Sequence, residues 1–241
     1  MAVSGLAPDA EVVVTDSLEW TAPAGAPRGA VIVLPGRGDD PSFYRRLSAR
    51  LASDGFATAV ATVPIVSTAD VTQVARTSTD GILAIIGVDT SAGLLAAALV
   101  EHGLERAPDG VIFAGTATGD SAPPVAEEEL AARSACPVHR RVVEEAGASP
   151  LAASTVAPSW PEGHARVPVL ALHGAADTIS PIRDVIPLLA SWDAELVTVS
   201  GGLHDVLNDV HHRSIAAEIV QFLERLRVGG STPVLRRERV R

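Results

Sequence analysis

The chain has 241 residues, of which 47% are hydrophobic, and it carries a formal net charge of −10. This length and apolar content suit one substantial domain and exclude a disordered chain. The single cysteine, Cys136, excludes a disulfide framework, and no apolar run approaches the ~20 residues of a membrane-spanning helix. Because residues 1–16 lack the basic and apolar parts of a secretory signal, we expect a soluble cytoplasmic protein.

The acidic charge also argues against a nucleic-acid partner. Proteins that neutralise phosphates usually carry clustered cationic side chains, and the cationic cluster here lies in residues 229–241, which we expect to form a flexible basic tail. The sequence contains no glycine-rich phosphate-binding motif, so it does not predict a nucleotide cofactor. Its histidines are scattered along the chain, so it does not predict a metal site. We therefore expect a small-molecule substrate and no cofactor, and we leave open whether the chain is a monomer or a homodimer.

Short apolar runs alternate with longer amphipathic segments along the chain. Several of the short runs are apolar on both faces, as in strands buried between two layers of helices. This alternation predicts an α/β fold with a mostly parallel, twisted sheet flanked by helices. The predicted strands are 11–15, 30–34, 58–63, 82–88, 110–116, 167–172 and 195–200, and the predicted helices are 42–53, 92–102, 182–191 and 205–227.

Residues 120–166 interrupt the alternation. They are rich in proline and alanine, and they show a helical pattern near 126–133 but no strand pattern. An insertion of this length between strands is more often a lid than a separate domain. We predict that it forms a small helical cap or lid on a core made of residues 1–119 and 167–228.

Four loops that could carry chemistry each follow a predicted strand. In sheets of this kind, ligands bind at the carboxyl ends of the strands, so we expect the four loops to meet there. They are a glycine loop at 34–40, a small-residue turn at 85–97, an aspartate loop at 173–181 and a histidine loop at 200–209.

The second loop has the pattern of a sharp turn from a strand into a helix. Small residues two positions before and after a central residue let that residue project above the sheet, beside the helix N-terminus. Centred on Asp89, the flanking residues are Gly87 and Ser91; a turn centred on Ser91 would have Asp89 on the incoming side, which fits less well. The simpler structural interpretation is that Asp89 is an ordinary helix N-cap.

Taken in chain order, the four loops resemble those of the α/β-hydrolase-fold superfamily over roughly residues 25–227. The segment 34–38 resembles the oxyanion loop, with Pro35 where histidine is common. The segment 173–177 resembles the acid loop, and 202–208 is similar to the histidine loop of monoacylglycerol lipases and lysophospholipases. The order nucleophile, acid, histidine is the order of this fold.

Asp89 is the main departure, because esterases of this superfamily carry serine at that position. An aspartate there resembles the epoxide hydrolases and haloalkane dehalogenases. The resemblance implies that Asp89 attacks a saturated carbon to give an alkyl ester, which a water activated by His204 then hydrolyses, with Asp177 orienting His204. The residues expected at the oxyanion or the substrate are Gly36, Arg37, Gly38, Thr90 and Tyr44.

Other marks of that branch are missing from the sequence. Dehalogenases usually follow the aspartate with Trp or Arg, whereas this chain has Thr90. Epoxide hydrolases usually offer two cap tyrosines to the leaving oxygen, whereas the single tyrosine here precedes the cap. Cys136, His139 and Trp160 are the cap side chains that could contact a substrate, and each is equally compatible with packing or exposure.

The leading hypothesis is a hydrolase of a small apolar epoxide, halide or ester that uses Asp89, Asp177 and His204. A second hypothesis makes Ser91 the nucleophile of a carboxylesterase, because residues 89–93 resemble the elbow of hormone-sensitive-lipase-like esterases. A third keeps Asp89 and His204 as acid and base of a cyclase, dehydratase or isomerase. A fourth is a non-catalytic ligand-binding module.

Overall fold

The computed structural model describes residues 12–14, 17–76, 80–101, 103–118, 126–147, 159–229 and 235. Strands and helices alternate through most of these ranges, which confirms the predicted α/β fold. The strands are β1 (Val12–Val14), β2 (Leu18–Thr21), β3 (Gly29–Leu34), β4 (Ala57–Ala61), β5 (Ile82–Val88), β6 (Gly110–Ala114), β7 (Val169–Gly174) and β8 (Glu195–Val199). The helices are α1 (Arg45–Ser53), α2 (Thr68–Val74), α3 (Thr90–Glu101), α4 (Ala126–Arg133), α5 (Pro137–Ala146), α6 (Ile182–Ala190) and α7 (His212–Arg227), and a short 3-10 helix, Pro41–Tyr44, precedes α1.

Within the described ranges, these strands form one sheet in the order β1-β2-β4-β3-β5-β6-β7-β8. The pairs β1–β2 and β2–β4 are antiparallel, and the pairs from β4 through β8 are parallel. In register, Leu34 pairs with Gly87 and Val88 pairs with Ala114, so β3, β5 and β6 end at one edge. The loops after β3, β5, β7 and β8 therefore meet at the carboxyl edge of the sheet, as expected from the sequence.

Two apolar layers cover the faces of the sheet. Every residue of β3 and β5 is buried, because these central strands have packed helices on both sides. One layer includes α3, whose first nine residues are buried, and the other includes α1 and α7. None of the described helices combines the length and apolar character that a membrane span requires.

The prediction of a helix over 205–227 was wrong in its first part, because α7 begins at His212. Residues 203–209 instead form turns around the buried Asp209, whose carboxylate accepts the Leu203 amide at 3.0 Å and the Ala135 amide at 2.8 Å. Similarly, the predicted helix 42–53 begins as the 3-10 helix, whose N-cap is Asp40.

Three elements were not predicted from the sequence. Strand β2 pairs along the edge of β4, helix α2 begins with a capping box formed by Ser67 and Asp70, and helix α5 begins at Pro137. The described parts of 120–166 contain α4 and α5 and no strand. The division into core and cap stays a prediction, and most of the basic tail lies outside the described residues.

Candidate active site

Asp89 is the single residue between β5 and α3, and its backbone has φ +49°. This left-handed conformation is uncommon for residues other than glycine, although aspartate tolerates it better than most. The turn is tight because a Cβ on Gly87 would lie 2.8 Å from the Ala92 Cα atom. The carboxylate of Asp89 contacts Arg37 and His204, so the N-cap interpretation does not describe this side chain.

The acid loop holds Asp177 with donors on both carboxylate oxygens. Oδ1 accepts the amides of Ile179 and Ser180, each at 2.9 Å, and Oδ2 lies 2.9 Å from His204 Nδ1. His173 Nε2 is 2.7 Å from the Ser180 carbonyl oxygen and 3.3 Å from Asp177 Oδ2. Because a carbonyl can only accept, Nε2 of His173 carries the proton. These contacts hold the Asp177 carboxylate in place independently of His204.

The His204 ring lies between two carboxylates. Its Nδ1 contacts Asp177, and its Nε2 lies 3.3 Å from Asp89 Oδ1. Burial alone would lower the pKa of His204, but the charges of Asp177 and Asp89 outweigh it and raise the pKa from 6.5 to about 10. The imidazole is therefore protonated in the resting site at neutral pH.

Arg37 contacts Asp89 with its backbone and its side chain. Its amide donates to Oδ2 at 3.2 Å, Nε donates to Oδ2 at 2.8 Å, and Nη2 donates to Oδ1 at 3.1 Å. Burial would raise the pKa of the Asp89 carboxyl, but His204 and Arg37 hold it below the ordinary 3.8. Two cations and two carboxylates thus balance within this buried site, as buried charges require.

The other predicted oxyanion and substrate residues are divided by the structure. Gly36, Gly38 and Thr90 line a cavity beside the loop, and the Gly36 amide is already engaged because it donates to Asp39 Oδ2 at 3.1 Å. The expectation that Tyr44 contacts the substrate disagrees with its position: it is 1% exposed, and its hydroxyl donates to Asp39 Oδ2 at 2.5 Å. Tyr44 therefore stabilises the 34–40 loop through Asp39.

Ser91 has a different partner from the one that the serine hypothesis needs. Its side chain is fully buried, and Oγ donates to the Pro35 carbonyl oxygen at 2.5 Å. Among the described residues, the His204 ring pairs with Asp177 and Asp89, whereas the hydroxyl of Ser91 is bonded to Pro35. This geometry favours Asp89 over Ser91 as the partner of the histidine.

A cavity of about 580 Å³ adjoins the site on the side of Arg37. Its walls come from residues 35–41, residues 61–66, Thr90 and the end of α5. Residues 63–66 make one wall largely apolar, and Arg37 lines the cavity while its side chain bonds to Asp89, which is not among the lining residues.

The cap residues singled out in the sequence have different surroundings. His139 is 1% exposed, and its Nε2 lies 2.7 Å from Asp205 Oδ2. Cys136 is buried at the start of α5, and its Sγ accepts from Arg46 at 3.7 Å. Trp160 packs on its edge against the rings of Phe113 and Trp192, so its described contacts belong to the core.

Sequence reasoning missed Arg133, which is buried and pairs with both Asp39 and Asp205. Its partners lie 94 and 72 residues away, so no local pattern could have identified them. No group of three or more His, Cys, Asp or Glu side chains within the described ranges is placed to hold a metal ion.

No protein-family model and no curated protein sequence matches the chain. Solved structures are similar to it at low identity. Monoglyceride lipase from Saccharomyces cerevisiae has 14% identity and a TM-score of 0.68, covering 94% of this chain and 98% of its own. A hormone-sensitive lipase from a metagenome library has 18% identity and a TM-score of 0.66, and the match covers 91% of this chain and 87% of that lipase. The monoacylglycerol lipase of Paleococcus ferrophilus has 16% identity and a TM-score of 0.62, and the match covers 90% of this chain and 99% of that lipase. This likeness confirms the predicted fold: the chain has the α/β-hydrolase fold.

Proposed function

We propose that this chain is a hydrolase that opens a small epoxide through a covalent ester on Asp89. The observation that carries the proposal is the His204 ring, whose two nitrogens face Asp177 at 2.9 Å and Asp89 at 3.3 Å. The similar structures are named as lipases, which supports a hydrolase in general. The aspartate at the elbow supports chemistry at a saturated carbon, because its attack on an ester carbonyl would give a reactive anhydride.

In the first step, Asp89 Oδ1 attacks an epoxide carbon and the carbon–oxygen bond of the ring breaks. The leaving oxygen takes the Nε2 proton of His204, which the two neighbouring carboxylates keep protonated. A hydroxyalkyl ester and a neutral imidazole result. With His204 as the proton donor, the reaction does not need a pair of tyrosines. The single tyrosine of the chain, Tyr44, has its hydroxyl bonded to Asp39.

In the second step, the neutral imidazole takes a proton from water, and the hydroxide attacks the Asp89 carbonyl carbon. Esterification has removed the charge of Asp89, so one of the two groups that raise the pKa of His204 is gone when a base is needed. The Arg37 amide, 3.2 Å from Oδ2, stabilises the oxyanion. Collapse expels the alkoxide, which takes the proton of the re-formed Asp89 carboxyl group and leaves as the diol.

The cavity beside Arg37 supports a small substrate with an apolar body. Its volume of about 580 Å³ lies in the usual range for small-molecule sites, and residues 63–66 offer an apolar wall. An epoxide carbon must pass the Arg37 guanidinium to reach Asp89, so we expect the guanidinium to give up at least one of its hydrogen bonds with the carboxylate when the substrate enters.

A single-turnover reaction in H₂¹⁸O, with excess enzyme over styrene oxide and a series of terminal alkyl epoxides, tests the covalent step. We expect ¹⁸O in the peptide that contains Asp89 and only ¹⁶O in the first diol, because the ester oxygen leaves with the product. Asp89→Asn should lose turnover by about 10⁶-fold, the scale for removal of a nucleophile. Asp54→Asn, at an exposed ion pair on α1, is the matched control.

Direct attack by water on the epoxide would leave Asp89 unlabelled and place ¹⁸O in the first product. Hydrolysis of p-nitrophenyl esters that survives Asp89→Asn and disappears in Ser91→Ala would support the serine hypothesis instead.

The contact of Arg37 with both oxygens of Asp89 favours one second candidate, an acid–base enzyme that does not hydrolyse. A carboxylate neutralised by a guanidinium is a weaker nucleophile, yet it can still position His204 for proton transfer. Product masses distinguish the two, since an isomerisation adds no water to the substrate.

A further inference from the structure

Arg133, the last residue of α4, connects two loops of the candidate site. Its side chain is 3% exposed; Nη2 pairs with Asp39 Oδ1, and Nε donates to the two oxygens of Asp205 at 2.9 and 3.2 Å. Asp39 belongs to the oxyanion loop, and Asp205 directly follows His204. One guanidinium thus bridges the loops that carry the two partners of Asp89.

The Asp39 end of this bridge holds the oxyanion loop. While Oδ1 pairs with Arg133, Oδ2 accepts the Gly36 amide at 3.1 Å and the Tyr44 hydroxyl at 2.5 Å. Gly36 precedes Arg37, and a Cβ on Gly36 would lie 2.8 Å from the Asp89 Cβ atom. Small movements of Asp39 would therefore reach the Arg37 amide that faces Asp89.

The Asp205 end holds the histidine loop. The Asp205 amide donates to the Arg133 carbonyl oxygen at 2.8 Å, so both the backbone and the side chain of Arg133 engage this residue. His139 of α5 contacts Asp205 Oδ2 at 2.7 Å. Burial would raise the pKa of Asp205, but Arg133 and His139 lower it to about 2, so Asp205 is ionised.

We propose that Arg133 is a positioning residue: by holding Asp39 and Asp205 on one guanidinium, it fixes the Arg37 amide and the His204 ring on opposite sides of Asp89. The inference rests on the proposed function only for the catalytic roles of Asp89 and His204. Arginine suits this position because its planar group serves two carboxylates at once, whereas a lysine ammonium is a single point charge.

Two variants test the inference. Arg133→Lys keeps the charge but loses the planar bridge. The quadruple variant Arg133→Met, Asp39→Asn, Asp205→Asn, Glu129→Gln removes the bridge together with the charges of all three carboxylates that pair with Arg133, so none of them is left buried without its counter-ion. Arg50→Lys and Arg50→Met are the matched controls, because Arg50 pairs with Asp54 at an exposed position of α1.

The first readout needs no substrate: the ¹H and ¹⁵N signals of the His204 ring, assigned by their loss in His204→Asn. We expect both Arg133 variants to move the Nδ1–H signal and the titration midpoint of His204, and the Arg50 controls to leave them unchanged. The second readout is turnover of whichever epoxide in the series tested for the proposed function proves to be a substrate. We expect kcat to fall by about 10²-fold, the cost of a misplacement near 1 Å, with KM changed less than about threefold.

Folded Arg133 variants with the wild-type His204 signal and kcat would overturn the inference. A loss of thermal stability with both readouts unchanged would also overturn it, since it would assign Arg133 a purely structural role. If the epoxides prove not to be substrates, the signals of His204 still decide the question, and the two proposals fail separately.

Discussion

Arg37 holds both carboxylate oxygens of Asp89, with Nε 2.8 Å from Oδ2 and Nη2 3.1 Å from Oδ1. Arg37 was expected at the oxyanion or the substrate, and its guanidinium adds a full charge beside its own backbone amide, which also donates to Asp89. Both side chains are largely buried, at 8% and 4% exposed. Removing one member of the pair would therefore leave a buried charge without its counter-ion.

Arg37→Gln should lower the free energy of unfolding by about 3 kcal/mol, the scale for a buried ion pair that loses one partner. Urea denaturation at neutral pH measures this change. Arg50→Gln, which breaks an exposed pair of α1, should cost no more than about 0.5 kcal/mol.

The double variant Arg37→Gln, Asp89→Asn adds a second comparison. Two amides can hydrogen-bond without a buried charge, so we expect most of the lost stability to return. Equal losses in the Arg37 and Arg50 variants, or no recovery in the double variant, would contradict a strong buried pair.

Because the pKa of His204 is raised in the folded chain, we expect the protein to lose stability at alkaline pH. Its pKa in the folded chain is about 10, against an ordinary value of 6.5, so the folded chain keeps a proton that the unfolded chain releases. Its contribution is complete below pH 6.5 and is lost as the pH rises towards 10. Across this window, we expect the free energy of unfolding to fall by up to about 1.4 kcal/mol per pH unit.

Urea denaturation at several pH values within this window measures the slope. His204→Asn removes the titrating group, so its profile should be flatter than that of the wild type. Tyr44 does not disturb the comparison, because burial and Asp39 raise its pKa above 10 and it titrates beyond the window. Parallel profiles for the wild type and His204→Asn would show that the pKa of His204 is not raised.

The tight turn at Asp89 makes a prediction about Gly87. In Gly87→Ala, the new methyl group would lie 2.8 Å from the Ala92 Cα atom and 2.9 Å from the Ser91 carbonyl oxygen, so the backbone must shift. We expect a loss of about 1–3 kcal/mol in the free energy of unfolding, the usual cost of overpacking. The control is Gly25→Ala, because a Cβ there meets nothing within 4 Å. Equal stability of the two variants, measured by thermal unfolding, would mean that the turn is looser than described.

Local patterns predicted the centre of the fold well. The expected strand 82–88 is β5 without any change, and 30–34 lies within β3. Both are apolar on both faces, which is the strongest signal of a buried parallel strand. The juxtaposition of Asp89 with His204 could be expected too, because each lies in a loop of recognisable composition and the sheet brings these loops to one edge. Their catalytic roles stay predictions.

Long-range side-chain contacts could not be predicted in the same way. Arg37 pairs with Asp89 across 52 residues, and Arg133 pairs with Asp39 across 94. Arg37 was expected near the site because of its glycine loop, but no local pattern indicated that its guanidinium pairs with Asp89, and none set Arg133 apart from an exposed arginine. The start of α7 was predicted too early for a related reason. Residues 203–209 form turns because the buried Asp209 carboxylate accepts hydrogen bonds from the amides of Ala135 and Leu203, and the contact with Ala135 is long-range.

The segment of α4 and α5 is joined to the rest of the described chain through buried groups, including Arg133 on Asp205 and the Ala135 amide on Asp209. Replacing these helices by those of another protein would leave Asp39 and Asp205 buried without the counter-ion that Arg133 gives them. A working chimera would have to transplant those acids together with the inserted helices.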